Sequence, residues 1–200
     1  MSNQWSREKY FKALKFAAEA HKDQLMPGGD LPYVVHVSLV AMEILAALAA
    51  EDVDRPNLAV QCALLHDCLE DTYVVYDEIV RLYGSYVADG VLALSKDGAI
   101  GISEDEYKRD LLQLEDSLKR IKRQPREIWM VKLADRITNL QPPPSHWNDE
   151  KIAWYKEGAE LIHKELALAS VYLGERLREK IDRYPEGDSA PTLEEGSGIL

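Results

Sequence analysis

Apolar residues recur at intervals of three and four along most of the chain, and this spacing predicts helices. The segment from Ser6 to Lys22 carries one such apolar face. The run Val37 to Ala50 is apolar almost throughout, which is typical of a helix buried in a core. The β-branched and aromatic cluster at 73–76 is too short and isolated to indicate a sheet. The pattern predicts an all-α fold, a compact bundle of about eight helices.

Prolines and glycines divide the pattern into elements. A loop from Asp23 to Leu31 ends the first helix, and Pro56 and Pro125 suit the first turns of later helices. The triple proline at 142–144 must end a helix. The remaining predicted helical segments are Asn57 to Leu69, Thr72 to Ala93, Asp110 to Arg123 and Glu150 to Ile181. We expect one domain over residues 1–184 and, from its Pro, Gly, Ser and Glu content, a disordered tail over 185–200.

Charge and composition narrow the partners. The net charge of −11 over 200 residues argues against nucleic acid or an anionic membrane as the general partner. No window has the eighteen or so apolar residues of a spanning helix, and the amino terminus lacks a signal-peptide pattern. Cys62 and Cys68 match no zinc spacing and lie among apolar residues, so we expect buried free thiols. These features favour a cytoplasmic protein, and they leave the oligomeric state open.

The most unusual stretch joins a His-Asp pair to two more carboxylates. His66 and Asp67 follow an apolar segment, and Glu70 and Asp71 come one helical turn later. Residues three and four apart share a helix face, so these groups would crowd one turn and repel without a cation. A solvated acidic helix end is the alternative interpretation, although Leu64, Leu65 and Leu69 make this turn too apolar for a free surface.

A bound metal ion would be such a cation, and two further stretches strengthen this hypothesis. His36 stands at the entry to the apolar run that ends at Ala50, and Asp135 and Asn139 lie four residues apart on another predicted helix. Imidazole and carboxylate ligands from three segments suit a hard or borderline divalent ion such as manganese, with positions left open for water and substrate.

The order of these motifs resembles the HD-domain phosphohydrolases, and more closely the hydrolase domain of the RelA/SpoT homologues and the stand-alone small alarmone hydrolases. The resemblance extends from about Tyr10 to about Leu173. It rests on these matching stretches: Ala17 to His36 with His21, Gln24 and Pro32-Tyr33; Ala63 to Thr72; Tyr83-Gly84 with Gly90-Val91; and Lys132 to Leu140.

The resemblance implies roles for the residues of the site. It makes His36, His66, Asp67 and Asp135 the ligands of one divalent ion, Mn²⁺ by expectation. It makes Glu70 and Asp71 the acid–base pair, in which one group orients or deprotonates the attacking water and the other acts on the leaving group. The implied reaction removes the 3′-pyrophosphate of (p)ppGpp to give GDP or GTP. Strongly coupled carboxylates titrate as a unit, so the sequence leaves open which carboxylate is the base.

Substrate contacts also follow from the resemblance. Asn139 matches the residue that contacts ribose or phosphate, and Lys151 and Tyr155 match residues that hold the nucleotide. Where the family places Arg and Lys soon after the Gln, Gln24 is followed here by Leu25-Met26-Pro27. Met26 could cover a purine face, but it supplies no cation.

This departure leaves the substrate open. The leading hypothesis is a manganese-dependent pyrophosphohydrolase acting on (p)ppGpp. The same site could instead act on an adenine alarmone or on the 2′-phosphate of NADPH. A third alternative is a non-catalytic HD module that binds a nucleotide and signals through a partner.

Overall fold

The computed structural model describes residues 4–27, 29–101 and 105–186, and within these ranges the regular elements are helices. This confirms the predicted all-α class. The α-helices, in chain order, are α1 (Arg7–Ala20), α2 (Val34–Ala50), α3 (Pro56–Leu65), α4 (Cys68–Asp71), α5 (Tyr76–Tyr83), α6 (Ser85–Leu94), α7 (Glu106–Ile121), α8 (Arg126–Asn139), α9 (Asp149–Leu166) and α10 (Val171–Arg183). A 3₁₀ turn, Ala167–Ala169, joins α9 to α10. Of the predicted tail, residues 187–200 lie outside the described ranges.

Two predicted helices are each divided, which raises the number of described α-helices from about eight to ten. The helix predicted from Asn57 to Leu69 stops at Leu65, and the His-Asp pair forms a turn before α4. The helix predicted from Thr72 to Ala93 starts later, at Tyr76, and is broken at Gly84, whose φ of 88° lies in the left-handed region that glycine tolerates best.

Local chemistry accounts for several helix starts. The Ser6 hydroxyl accepts a hydrogen bond from the Lys9 amide, and Asn148 and Ser170 cap α9 and α10 in the same way. Pro56 occupies the first turn of α3, where its missing N–H costs no hydrogen bond.

The core is organised around α3. Every residue of α3 except Asn57 is buried, and α3 packs against α1, α2, α6 and α8. Burying one Leu side chain stabilises the fold by about 1.5–3 kcal/mol. The buried side chains of α3 therefore contribute a large part of the folding free energy. Since α2 and α8 also pack against each other, the three helices form a triangle. This triangle positions the candidate site.

An ion pair with a buried carboxylate joins α10 to α2 of the triangle. Glu43, only 3% exposed, accepts hydrogen bonds of 2.6 and 2.7 Å from the Arg176 guanidinium. Cys62 and Cys68 are buried free thiols, as predicted. Among the described helices, none is both long enough and apolar enough to cross a membrane.

Candidate metal and hydrolytic site

Four side chains from the triangle converge on one point. His36 lies in the first turn of α2, His66 and Asp67 form the turn between α3 and α4, and Asp135 lies on α8. The two Nε2 atoms are 3.3 Å apart. His66 Nε2 lies 3.0 Å from Asp67 Oδ2 and 3.7 Å from Asp135 Oδ1, and His36 Nε2 lies 3.6 and 3.5 Å from the same atoms.

A hydrogen bond decides which nitrogen of His66 faces the cluster. Its Nδ1 lies 2.9 Å from the Ala63 carbonyl oxygen, which can only accept, so Nδ1 carries the proton. In the neutral ring, Nε2 then presents a lone pair to His36 and to both carboxylates. Both imidazoles and Asp135 are buried, so little water can reach these acceptor atoms to hydrogen-bond with them.

The close approach of these groups shifts the pKa values of His66 and Asp67 in opposite directions. Burial by itself would lower the pKa of His66, but the Asp67 and Asp135 carboxylates raise it well above its usual value. Burial would raise the pKa of Asp67, but the His66 charge lowers it to about 2. The cluster therefore favours a positive charge at its centre.

The donor set fits a divalent ion. Ligand atoms about 2.1 Å from one ion and at right angles to each other lie about 3 Å apart. The five separations between the His nitrogens and their partners in the cluster are close to this spacing, at 3.0–3.7 Å. Among the described residues, His36, His66 and Asp67 form a group compact enough to hold a metal ion, and Asp135 adjoins it.

Neighbouring side chains hold the two carboxylates in place. The Tyr33 hydroxyl donates to Asp67 Oδ2 at 2.6 Å. Lys132 donates to Asp135 Oδ2 at 3.0 Å, and the Asn139 amide donates to Asp135 Oδ1 at 2.6 Å. Burial would raise the pKa of Asp135, but the Lys132 charge and the two imidazoles hold it well below its usual value. Such supporting bonds orient ligands and commonly affect metal affinity by 10- to 100-fold.

Sequence reasoning assigned no role to Tyr33 or Lys132. A usable signal was present, because each stands three residues before a predicted ligand, His36 or Asp135, and residues three apart share a helix face.

Glu70 and Asp71 are held by different parts of the chain. Glu70 Oε2 accepts a hydrogen bond from the Lys96 backbone amide at 2.7 Å, and its Oε1 lies 3.4 Å from Lys96 Nζ. Burial would lower the pKa of Lys96, but the Glu70 charge raises it, so the lysine stays cationic. Asp71 Oδ2 accepts from the Gln24 side-chain amide at 3.0 Å. The predicted pair is thus separated into one carboxylate beside a cation and one beside a neutral donor.

The four residues predicted to bind substrate lie on α8, on α9 and in the loop after α1. Asn139 is committed to Asp135, as described above. Lys151 pairs with Glu106 on α7 at 2.8 Å, so its charge is already met. Tyr155 lies under the Arg136 guanidinium at 4.5 Å. Met26 lies in a turn closed by a hydrogen bond from its own amide to the Leu31 carbonyl.

A cavity of about 350 Å³ lies between α7, α8 and α9. Its walls include Leu114 and Leu161, the stacked rings of Tyr107 and Trp154, and Tyr155. It is also lined by three cations, Lys96, Lys132 and Arg136, together with the carboxylates of Asp110, Glu115 and Glu157. Because Lys96 contacts Glu70 and Lys132 contacts Asp135, this cavity shares a wall with the converged cluster.

Arg136 is the least satisfied of these cations. Its Nε and Nη1 atoms are buried and have no hydrogen-bond partner within the described ranges. Stacking on the Tyr155 ring compensates only part of the cost of burying a charge.

Residues 13–167 match the HD-domain family, so the chain belongs to that family. One similar protein is the GTP pyrophosphokinase of Myxococcus xanthus, 35% identical over 161 residues, which are 78% of this chain and 20% of that protein. Another is the guanosine-3′,5′-bis(diphosphate) 3′-pyrophosphohydrolase MESH1 of Danio rerio, 28% identical over 174 residues, which are 84% of this chain and 89% of that one.

A solved structure is also similar. It is described as a metazoan orthologue of SpoT that hydrolyses ppGpp, and it matches with a TM-score of 0.66 and 26% identity over 88% of this chain and 98% of its own. The match to the Myxococcus protein spans only about a fifth of that protein's length, whereas the matches to MESH1 and to the solved structure cover nearly the whole of each.

Proposed function

We propose that this chain is a cytoplasmic, manganese-dependent hydrolase that removes the 3′-pyrophosphate of (p)ppGpp, giving GDP or GTP and pyrophosphate. The observation that carries the proposal is the convergence of His36, His66, Asp67 and Asp135 from three packed helices. Support comes from relatives named for this activity that match over most of their length.

The four converged side chains would hold the ion. When bound, a divalent ion lowers the pKa of coordinated water and polarises phosphoryl oxygens. Tyr33 and Lys132 keep Asp67 and Asp135 ionised and oriented, so the carboxylates present fixed negative oxygens to the ion. The mixture of imidazole and carboxylate ligands suits manganese.

Glu70 and Asp71 would carry the proton transfers. Water oxygen attacks the phosphorus next to the ribose 3′ oxygen, the bond between that phosphorus and the 3′ oxygen breaks, and the 3′ oxygen takes up a proton. One carboxylate accepts the proton of the water and the other group serves the leaving side. Lys96 lies beside Glu70 and, as a cation, can also face phosphate oxygens.

The nucleotide would lie between the cluster and the cavity. With a net charge of −11, the chain must attract a polyanion by local cations, and Lys96, Lys132 and Arg136 supply them at this wall. The unpaired Arg136 nitrogens favour a ligand phosphate as their partner. Tyr155 would contact ribose or phosphate, and Met26 would cover the base. Asn139 and Lys151 are hydrogen-bonded to Asp135 and Glu106, so they would exchange these partners for ribose or phosphate when the nucleotide binds.

The composition of the loop after α1 favours a second candidate substrate. Leu25, Met26 and Pro27 offer no cation to a guanine nucleotide. An adenine alarmone or the 2′-phosphate of NADPH would use the same metal chemistry with different recognition. The presence of Glu70 and Asp71 beside the four proposed ligands favours hydrolysis over a non-catalytic nucleotide-binding module.

The test is an assay of the purified protein with manganese and, separately, ppGpp, ppApp and NADPH. We expect release of pyrophosphate and GDP from ppGpp. Release of phosphate from NADPH alone, or pyrophosphate from ppApp alone, would assign the second candidate. Tight nucleotide binding without any turnover would assign the non-catalytic module.

A further inference from the structure

A line of polar contacts runs from the end of α1 to Asp71. His21 Nδ1 lies 2.6 Å from Gln24 Oε1, and Gln24 Nε2 lies 3.0 Å from Asp71 Oδ2. His21 Nε2 in turn lies 3.7 Å from the Cys68 sulfur. The described structure thus connects a buried histidine to a carboxylate of the proposed acid–base pair.

Chemistry fixes the direction of each bond. The Asp71 carboxylate accepts, so Gln24 presents its NH₂ group to Asp71 and its oxygen to His21. His21 must therefore donate from Nδ1, which leaves Nε2 as an acceptor for the Cys68 thiol.

The far end of this line, at His21, is buried. His21 is only 2% exposed, and its ring lies 4.9 Å from the ring of Tyr33. The backbone around Gln24 is held by a hydrogen bond from the Tyr33 amide to the Gln24 carbonyl, next to the Leu25–Pro32 bridge. Asp71, by contrast, is exposed and ends α4, a helix of four residues. The order in the contact therefore comes from His21 and Gln24.

We infer that Gln24 is a positioning residue for Asp71, and that His21 fixes Gln24 in the orientation that does so. This inference rests on the proposed function, because it assumes that Asp71 takes part in hydrolysis. Gln24 serves this role as a neutral donor, so it orients Asp71 without adding a charge beside it. A side chain of similar size that lacks the amide would leave Asp71 free to take other rotamers.

The test is a double-mutant cycle on the manganese-loaded protein with ppGpp. Gln24→Met keeps the size of the side chain and removes the donor. We expect it to lower kcat by about 10- to 100-fold, the usual range for removing a supporting partner, with little change in KM. In the Asp71→Asn background, Gln24→Met should cause no further loss, because Gln24 acts only through Asp71.

Two further variants sharpen the result. His21→Asn in the Gln24→Met background should likewise add little to the loss in kcat. Gln124→Met makes the same chemical change on the connection between α7 and α8, outside the site, and should leave kcat unchanged. Bound manganese should stay at the wild-type level in Gln24→Met, and its crystal structure should show Asp71 in a different rotamer.

Several outcomes would overturn the inference. Additive losses in the cycle would mean that Gln24 acts independently of Asp71. A raised KM with unchanged kcat would make Gln24 a substrate contact. An unmoved Asp71 in the Gln24→Met structure would show that the amide does not position it. A wild type without turnover on any of the nucleotides would overturn the proposed function as well, whereas a failed cycle with an active wild type overturns the inference alone.

Discussion

His66 is hydrogen-bonded through Nδ1 to the Ala63 carbonyl of α3, and this leaves Nε2 for the cluster of His36, Asp67 and Asp135. Removing this imidazole takes away one of the two nitrogens that the cluster can offer to an ion. It also leaves a small cavity where a buried side chain stood, which lowers stability without removing a helix.

We therefore expect His66→Ala and Asp67→Ala to lose bound manganese and turnover together while keeping most of their helicity. Elemental analysis measures the metal and circular dichroism measures the helicity. His146→Ala is a matched control, because His146 is an exposed histidine outside the cluster, and it should keep both metal and activity. Full manganese occupancy in His66→Ala would show that the ion is held elsewhere.

Glu70 and Asp71 have a different expected behaviour, because their side chains are hydrogen-bonded to Lys96 and Gln24. Glu70→Gln and Asp71→Asn preserve shape and should keep the metal. Removing a positioned acid or base usually costs 10²- to 10⁴-fold, so we expect kcat to fall by about a hundredfold or more in each. If both variants turn over at nearly the wild-type rate with manganese bound, another residue activates the water.

At the scale of elements, we expect the loop after α1 to influence substrate choice. Met26 occupies a turn held by backbone hydrogen bonds, so a substitution there changes chemistry more than conformation. A charge-assisted contact to phosphate contributes about 1.5–3 kcal/mol, or roughly ten- to a hundredfold in binding. We expect Met26→Arg to raise kcat/KM for ppGpp more than for ppApp, since Arg can stack on guanine and reach phosphate.

Steady-state kinetics on the two substrates measure this effect, and Met26→Leu controls for the change of side chain without adding charge. Tight binding of ppGpp by the wild type, with no gain from Met26→Arg, would contradict the expectation. The cation would then come from Arg136 or Lys151.

The packing of α9 against α10 gives a pH-dependent term in stability. Arg178 on α10 donates to His163 Nδ1 on α9 at 3.1 Å. Burial and the Arg178 charge lower the pKa of His163 below its usual value of 6.5. Below pH 6.5 the unfolded chain therefore binds more protons at this residue than the folded chain does, and the free energy of unfolding falls as the pH falls.

Urea unfolding at pH 7.5 and pH 5.5 measures this term. The wild type should lose more stability between the two than His163→Gln, which keeps an acceptor for Arg178 but does not titrate. Equal losses in the two proteins would show that His163 is not the group responsible.

At the scale of the whole molecule, the candidate metal site joins α2, the α3–α4 turn and α8. An ion that binds only the folded chain at 100 times its dissociation constant stabilises the fold by about 2.7 kcal/mol. For a domain of this size, that corresponds to a rise in Tm of roughly 5–10 °C. Melting curves with excess manganese and with EDTA should differ by this amount. Asp135→Asn should remove most of the difference, and an equal Tm under both conditions in the wild type would contradict the site.

The sequence by itself determined the features that depend on neighbours along the chain. The spacing of apolar residues predicted the all-α class, and the triple proline at 142–144 predicted the end of α8. The same local reasoning missed the breaks at Gly84 and at the His-Asp turn, because periodicity continues in register across a one- or two-residue interruption. Sequence motifs also named the four residues that the structure brings together, and their role as ligands is still a prediction.

Only the tertiary structure decided which side chains meet across elements. Three contacts join residues far apart in sequence: Lys96 with Glu70, Gln24 with Asp71, and Arg136 stacked on Tyr155. A helical pattern reports which face of its own element is buried, but it carries no information about the element that covers that face. The crossing of α2, α3 and α8 supplies that information, because their close packing fixes how near His36, His66 and Asp135 can come.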